Sequence, residues 1–330
     1  MKAKTTASLA IAVGLFVAGS AVVIQAATPI DTFGTVIDQP GQYVLTADLA
    51  AGGALGPAIT VLADDVHLDL DGHSIVGNGA ITAGSNLGIL VQGTAGEPRS
   101  RVFISNGSVS QFHFGVWLDQ TTQSHVTQMT LTENLGGIGL NNSSDNHVKD
   151  NTAITTTLIF ANSYGILSQR DCDRNVISHN QCSASGRVGQ GLVLNGVNAS
   201  VGCDDNQIDN NICNDNGLVG IWLIQFCTGN NVVNNTANGN RRSPNVTAFA
   251  NAGIALGNPT FPAQPPISFP RGHRVLSNTA LDNAIVAPRS WDVLDKTVLI
   301  GECGNLWRNN DFVQDNETGA DAGPKSGCIR

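Results

Sequence analysis

The densest group of side chains able to do acid–base or electrostatic chemistry is the segment Gln169-Arg170-Asp171-Cys172-Asp173-Arg174. A lyase or an epimerase acting on a uronic acid needs a cation beside the substrate carboxylate and a base that removes the C5 proton. Arg170 or Arg174 would supply the cation, Asp171 lies between them, and Asp119 lies in the turn after an earlier repeat. These four residues are therefore the candidate catalytic residues.

The sequence alone names no base. Four residues have suitable side chains, although nothing places them beside Arg170: His113, His125, His147 and Tyr164. A glycoside hydrolase would instead need two or three carboxylates. The chain offers four: Asp119, Asp171, Asp204 and Asp205. Each charged residue could instead be solvated in a turn or cap that turn, so the structural interpretation stays open beside the catalytic one.

A repeated motif predicts the elements that would position these groups. A Gly followed by alternating apolar residues occurs seven times, at Gly88, Gly115, Gly137, Gly165, Gly191, Gly220 and Gly253. Successive glycines lie 22 to 33 residues apart, as expected when each repeat is one coil of a solenoid with loops of varying length. The alternation is typical of a strand. The motif therefore predicts one strand in each coil.

A second motif, Asn-x-Val/Ile-x-x-Asn, lies between the Gly repeats. Its copies are 146–151, 175–180, 206–211 and 230–235, with a related copy at 305–310. Asn suits chain corners because it tolerates left-handed backbone angles, and stacked Asn amides can bond one another as ladders. No stretch after residue 30 has a sustained helical period. The chain is therefore predicted to be all-β.

These repeats resemble those of right-handed parallel β-helix proteins, the superfamily that holds pectate lyases, polygalacturonases and many bacterial secreted proteins. The resemblance covers about residues 36–312, and the segment Val66–Ile75 is similar to the first full coil of such proteins. It implies an all-β, right-handed parallel β-helix solenoid of roughly 8–10 coils. Residues 27–330 would form a single domain, with 27–57 as an N-terminal cap of irregular strands and 296–330 as a C-terminal cap.

The resemblance is specific for fold and says little about function. Polygalacturonases carry Asn-Thr-Asp, paired Asp, Gly-His-Gly and Arg-Ile-Lys motifs, and of these four only paired Asp, as in Asp204-Asp205, is present here. The Asp-Pro-His-Asp motif of alginate epimerases is missing, as is a basic strand like that of a pectate lyase. Two classes remain: a polysaccharide-processing enzyme, lyase or epimerase before hydrolase, and a non-catalytic surface, adhesive or glycan-binding protein.

The outward face of the Gly strands carries the binding candidates. Residues one and three after each Gly point inward, so Trp117 and Trp222 point outward. The next outward row includes Asp119, Gln169 and Asn195. Pyranose rings pack on aromatic rings while sugar hydroxyls bond amides and carboxylates. We predict that Trp117, Trp222, Gln169 and Asn195 bind substrate. The alternative is that inserted loops, above all 259–270, cover this strip.

Composition limits the partners. Lys2 and Lys4 precede an apolar run from Ala7 to Ile24, which predicts a signal peptide over residues 1–26 and a secreted or periplasmic protein. An uncleaved membrane anchor is the alternative. The net charge of −9 disfavours nucleic acid and anionic membrane surfaces. The expected partner is a polysaccharide or cell-surface glycan, with no membrane contact after cleavage, and the sequence does not fix the oligomeric state.

Seven cysteines in an exported chain suggest disulfides. Cys182 and Cys213 occupy the same position of adjacent coils, which places their Cα atoms within bridging reach, so we predict that they pair. We also predict that Cys303 and Cys328 pair and hold the C-terminal tail across the last coil. A third column, Cys172, Cys203 and Cys227, would form one pair and leave one thiol over.

One segment has side chains that could bind a metal ion. His67, Asp69 and Asp71 alternate along one predicted strand, and ligands of these types could hold Ca²⁺ or a transition metal. The same segment matches the first-coil pattern of the resembled proteins, in which Asp71-Gly72 is simply a turn. We therefore predict no metal and no cofactor, with Ca²⁺ as the alternative.

Overall fold

The computed structural model describes residues 26–155, 162–184, 188–198, 200–240, 251–257, 272–283, 290–296, 303–317 and 326–330. These residues fold as strands and turns, and none of them lies in a helix. No helix able to cross a membrane occurs in this part of the chain. The predicted all-β class is confirmed. The predicted signal peptide lies outside the described residues except for Ala26.

The repeat glycines lie in a ten-stranded parallel sheet, here called the glycine sheet. Its strands are Thr35–Ile37, Ile59–Val61, Leu87–Gln92, Phe114–Asp119, Gly136–Asn141, Asn162–Gln169, Val188–Asn195, Val219–Leu223, Asn251–Leu256 and Ser290–Asp295. Each strand pairs with the strand of the next coil, so that Val116, Ile138 and Ile166 stack in register. The sheet has one strand for each coil.

The Asn motifs lie in a second, fifteen-stranded sheet, here called the asparagine sheet. Its main path is Thr28–Ile30, Gly41–Leu45, Val66–Asp69, Phe103–Ser110, His125–Thr132, His147–Lys149, Val176–Ser178, Gln207–Asp209, Asn231–Val233, Arg274–Leu276 and Leu306–Arg308. Its other strands are Leu49–Ala50, Ser74–Val76, Thr152–Thr155 and Gln181–Ala184. Two small sheets pair Arg99–Ser100 with Thr121–Thr122 and Thr279–Ala280 with Asp311–Phe312.

The first coil is more regular than predicted. Thr35–Ile37 pairs in parallel with Ile59–Val61, and Gly41–Leu45 pairs with the strand that begins at Val66. These residues were expected to form an irregular cap. They instead form a complete coil, because their apolar residues already follow the inward alternation of the later coils: Ile37 and Leu45 are both 1% exposed.

The interior of the solenoid is a column of stacked apolar side chains bounded by Asn ladders. In one ladder Asn151 donates its Nδ2–H to Asn180 Oδ1 at 3.0 Å, and Asn180 donates in turn to Asn211 Oδ1 at 3.0 Å. The same Asn180 amide also donates to the carbonyl of Val148 at 2.9 Å. The buried Asn180 amide is thus satisfied by the coils on either side, as polar groups in a core require. The predicted Asn ladders are confirmed.

The cysteines correct one prediction and confirm another. Cys303 and Cys328 form the predicted disulfide, with Cα atoms 5.5 Å apart. Cys182 and Cys213 are both free and buried, so their predicted pairing is wrong, and no pair forms among Cys172, Cys203 and Cys227. All five point into the apolar core in stacked positions, where a thiol packs as a small hydrophobic group. Burial raises the pKa of the Cys203 and Cys213 thiols. Register places these residues side by side, but it does not decide that they bond.

The C-terminal tail returns to the last coil, as predicted. Trp307 is 1% exposed and donates its Nε1–H to Asp295 Oδ2 at 2.9 Å. The Glu317 carboxylate accepts the backbone N–H groups of Gly327 at 2.7 Å and Ile329 at 2.5 Å. Ile329 joins the hydrophobic core. These contacts and the disulfide cover the open end of the coil stack.

Candidate functional site

A polar cleft of about 400 Å³ opens at the carboxyl end of the glycine sheet. Its lining residues are Thr94, Ala95, Pro98, Gln120, Thr121, Thr122, Asn142, Ser144 and Asp171. Gln120 and Asn142 directly follow the strands Phe114–Asp119 and Gly136–Asn141, and Asp171 lies two residues beyond Gln169. The residues that follow the glycine-sheet strands of consecutive coils therefore form the floor of the cleft.

The backbone shapes this cleft by turning sharply out of the sheet. Gln120, Asn142 and Arg170 have φ values of 53°, 47° and 69°, which makes a left-handed corner in three successive coils. The opposite wall is a tight turn in which Thr94 and Glu97 exchange two backbone hydrogen bonds of 3.0 Å. Gly93 begins this turn because a Cβ there would lie 2.3 Å from the carbonyl oxygen of Gln120. The turn thus approaches the next coil closely.

A row of polar side chains on the outward face of the sheet lies one residue before the corners at the cleft. Gln169 donates its Nε2–H to Asn141 Oδ1 at 3.1 Å, and Asn141 donates its Nδ2–H to Asp119 Oδ1 at 2.7 Å. Each amide therefore donates to the side chain of the preceding coil, and Asp119 is the final acceptor. Asn195 continues the row in the next coil. Here the structure does bring together three predicted residues, Asp119, Gln169 and Asn195, with Asn141 as the link.

Trp117 lies beside this row, on the same face of the same strand as Asp119. It is half-buried, with its ring centroid 4.7 Å from that of Phe114. Its ring lies over the neighbouring strand, where a Cβ on Gly139 would come within 2.2 Å of it. Phe114 lies over Gly136 in the same way. The two glycines leave room for aromatic rings to lie flat on the sheet, a role that the alternating pattern did not reveal.

Trp222 is not an open platform. It is 4% exposed and donates its Nε1–H to the carbonyl of Gly257 at 2.9 Å. It packs in a second hydrophobic cluster, outside the coils, that also contains Leu167, Val193 and Trp291. The prediction that Trp222 binds substrate at the surface is therefore wrong, and the alternative of a covered strip holds for this half of the sheet. The Pro-rich segment at 259–270 lies outside the described residues.

Arg174 is also engaged within the protein. Its Nε and Nη2 atoms donate to the two carboxylate oxygens of Asp145, each at 2.8 Å. Arg101 and Asp65 form the same two-pronged pair at the equivalent corner. The prediction of Arg174 as the cation for a substrate carboxylate is corrected, because its guanidinium is already paired with Asp145. The recurrence of the same pair at another corner indicates a structural role.

Arg170 and Asp171 remain available. Both side chains are exposed, and among the described residues the Arg170 guanidinium forms no ion pair. Asp171 is the one carboxylate among the residues that line the cleft. Two other carboxylates of the hydrolase hypothesis are engaged elsewhere: Asp204 Oδ1 accepts the N–H of Thr228 at 2.6 Å, and Asp119 Oδ1 accepts from Asn141. The cleft therefore does not hold the carboxylate pair that a glycosidase needs.

The candidate bases lie elsewhere. Tyr164 is near the start of the strand that ends before Arg170, six residues or roughly 20 Å away along an extended chain. Burial raises the pKa of Tyr164, which opposes the ionised form that a base requires. His113 Nδ1 contacts the carbonyl of Ile81 at 2.8 Å. His125 and His147 belong to the asparagine sheet. Within the described chain, no candidate base faces Arg170.

The segment weighed for Ca²⁺ has its polar groups engaged. His67 Nδ1 lies 2.6 Å from Gln42 Oε1, and Asp69 Oδ1 accepts the N–H of Asp71 at 2.8 Å and the Nδ2–H of Asn106 at 3.1 Å. Across the described ranges, no three His, Cys, Asp or Glu side chains come together as a metal site. These contacts make Asp69 a turn residue.

Comparison with known proteins agrees with this architecture. Residues 60–200 match the family model described as the right handed beta helix region. The fold is a right-handed parallel β-helix. The chain resembles a mutant tailspike protein of E. coli bacteriophage HK620 in complex with a pentasaccharide, at a TM-score of 0.56 and 15% identity over 88% of this chain and 58% of that one. No curated protein sequence matches it.

Two epimerase structures are also similar. The periplasmic alginate epimerase AlgG matches at a TM-score of 0.50 and 15% identity, over 81% of this chain and 59% of that one. The A-module of the mannuronan C-5 epimerase AlgE6 of Azotobacter vinelandii matches at a TM-score of 0.52 and 15% identity, over 88% of this chain and 81% of that one. The chain thus spans less than two thirds of the length of the tailspike and of AlgG. Structural similarity at this low sequence identity shows a shared fold alone.

Proposed function

We propose that this protein is an exported, carbohydrate-directed β-helix protein that binds a polysaccharide or cell-surface glycan at the polar cleft. The observation that carries this proposal is that the residues of the hydrogen-bonded row, Asp119, Asn141 and Gln169, directly precede the corner residues at the cleft in three successive coils. That row runs across three coils, so its side chains repeat at the strand spacing of about 4.8 Å. An extended ligand lying along the solenoid axis would meet one polar side chain per coil.

The chemistry of the cleft suits sugar hydroxyls. Hydroxyl, amide and carboxylate groups there supply donors and acceptors in several directions, as hydroxyl recognition requires. The half-exposed ring of Trp117 adds an apolar surface next to Asp119 for the C–H face of a pyranose. Arg170, exposed at the adjoining corner, would favour a ligand that carries a carboxylate.

The comparisons support the same class of ligand. The tailspike protein of similar fold is in complex with a pentasaccharide, and the two epimerases of similar fold are named for alginate and mannuronan. The disulfide between Cys303 and Cys328 fits an oxidising compartment, so we assign the protein to the periplasm or the cell exterior.

Binding without catalysis is favoured over a lyase or an epimerase. The free guanidinium of Arg170 next to Asp171 supports an enzyme, because a cation beside a carboxylate is part of such a site. The separation of Tyr164 and His113 from that corner opposes it, since proton abstraction needs a base within hydrogen-bond reach.

The test is binding of the purified protein to a panel of uronic-acid and neutral oligosaccharides. Asp171→Asn removes the charge from the cleft. The change should weaken binding about ten- to a hundredfold, because this is the affinity that one charge-assisted hydrogen bond contributes. The control is Asp150→Asn, which removes the charge of an exposed aspartate at a corner of the asparagine sheet. Trp117→Ala should also weaken binding, with circular dichroism showing that the coils persist.

The same incubations distinguish the catalytic alternatives. An unsaturated product, detected by its ultraviolet absorbance, would establish a lyase, and new reducing ends alone would establish a hydrolase. A changed epimer ratio in the proton NMR spectrum would establish an epimerase. Equal affinity of wild type, Asp171→Asn and Trp117→Ala for every glycan would overturn the proposed site.

A further inference from the structure

The outer face of the asparagine sheet carries a column of aromatic rings that the proposed function does not use. Phe103 stacks on His125 with ring centroids 4.6 Å apart and planes 13° from parallel. His125 stacks in the same way on His147, with ring centroids 4.7 Å apart and planes 12° from parallel. His67 meets the other side of Phe103 edge-on at 6.0 Å. The column ends with two adjacent imidazoles.

Backbone pairing holds these two imidazoles next to each other. His125 and His147 are direct partners in the parallel register of the strands His125–Thr132 and His147–Lys149. Directly paired residues point to the same face of a sheet and lie about 4.8 Å apart. Val126 and Val148, the residues that follow them, are fully buried, so both imidazoles point away from the core. The pair is thus fixed by the backbone and reachable from solvent.

Two neighbouring imidazoles are a metal-binding arrangement. A metal ion bonded to each nitrogen at about 2.0–2.1 Å needs the two nitrogens within about 4 Å of each other. The register brings the side chains close enough, but the stacked ring planes are nearly parallel and their nitrogen lone pairs do not converge. Both nitrogens reach one ion when the exposed His147 ring rotates out of the stack. Imidazole suits Cu²⁺, Ni²⁺ and Zn²⁺, and Cu²⁺ binds most tightly in this series.

We propose that His125 and His147 together bind one divalent transition-metal ion, with Cu²⁺ preferred, at the outer face of the asparagine sheet. Water would complete the coordination, which makes this an open surface site and not a closed structural one. Phe103 limits the His125 ring on its far side through the stack at 4.6 Å. The one cation on these two strands near the pair, Lys149, lies 3.5 Å from the carboxylate of Asp150, which offsets its repulsion of the metal ion.

Neither histidine of the site lines the glycan cleft. The cleft is built at the ends of glycine-sheet strands, whereas His125 and His147 lie in the asparagine sheet. The metal proposal therefore does not depend on carbohydrate binding, and either could fail without the other.

The experiment is a Cu²⁺ titration of the full mature chain by isothermal calorimetry, with electron paramagnetic resonance of the bound ion. We expect one equivalent to bind with nitrogen hyperfine structure. His125→Gln and His147→Gln should each weaken that binding by more than about tenfold, because loss of a ligand costs at least as much as loss of a supporting contact. The control is His179→Gln, which changes an exposed histidine at another corner.

Three results would overturn the proposal. They are absence of any stoichiometric binding, equal affinity of wild type and the His125→Gln and His147→Gln variants, and equal loss in the His179→Gln control. Thermal melts without metal check that each variant keeps its fold. Zn²⁺ in place of Cu²⁺ should raise the melting temperature of wild type and leave that of His147→Gln unchanged.

Discussion

His273 should make the stability of this protein depend on pH in a way that one substitution removes. It occupies a ladder position that Asn holds in neighbouring coils and is fully buried. Its Nδ1 accepts the backbone N–H of Asn230 at 3.1 Å, and the backbone N–H of His273 donates to Asn305 Oδ1 at 3.0 Å. Burial lowers the pKa of His273 to about 4, against the opposing effect of hydrogen bonds to the backbone of Asn230 and Cys227.

The sign follows from proton linkage. In the folded protein His273 stays neutral until the pH approaches 4, whereas in the unfolded chain it titrates near its ordinary pKa of 6.5. Below pH 6.5 the unfolded state therefore binds more protons, and stability falls as the pH falls toward 4. From these two pKa values, His273 alone should lower the free energy of unfolding by about 2 kcal/mol between pH 7.5 and pH 5.0.

The assay is urea denaturation of wild type and His273→Asn at pH 7.5 and 5.0, followed by circular dichroism. The carboxylates titrate alike in both proteins, so the difference between the two pH-dependent losses isolates His273. Asn restores the ladder amide, so the variant should fold, and it should lose about 2 kcal/mol less than wild type on acidification. His179→Asn, at an exposed corner, should behave as wild type. Equal losses in wild type and His273→Asn would refute the reasoning.

Three further predictions concern packing, the ladder and the corner pair. Gly139→Ala should displace the Trp117 ring, because the new Cβ would lie 2.2 Å from it, and this should shift the tryptophan fluorescence to longer wavelength at a cost of about 1–3 kcal/mol. Asn180→Ala should cost about 3 kcal/mol in denaturant titrations, since it leaves the Val148 carbonyl and the Asn151 amide unpaired; a loss below that of a surface substitution would contradict the ladder. Arg174→Gln should cost less than about 1 kcal/mol and leave glycan affinity unchanged, because its pair with Asp145 is half-exposed; a large loss of affinity would return Arg174 to the binding site.

Part of the candidate site was predictable because it follows from the repeat. The alternation after Gly115, Gly137 and Gly165 places Asp119, Asn141 and Gln169 in one outward row, and the hydrogen bonds between them require only that successive coils stack in register. The turn from 93 to 98 that closes the cleft belongs to no repeat, so no periodicity predicts it. The cleft itself therefore became visible only in three dimensions.

The sequence by itself determined the solenoid, the two sheets, the Asn ladders and the inward rows, because each depends on a local period that every coil repeats. Only the tertiary structure decided which outward groups are free: Trp222 is covered, Arg174 is held by Asp145, and Cys182 and Cys213 lie side by side as thiols. The physical reason is that a period of two fixes the direction of a side chain, while its exposure and its partners depend on segments and coils distant in sequence.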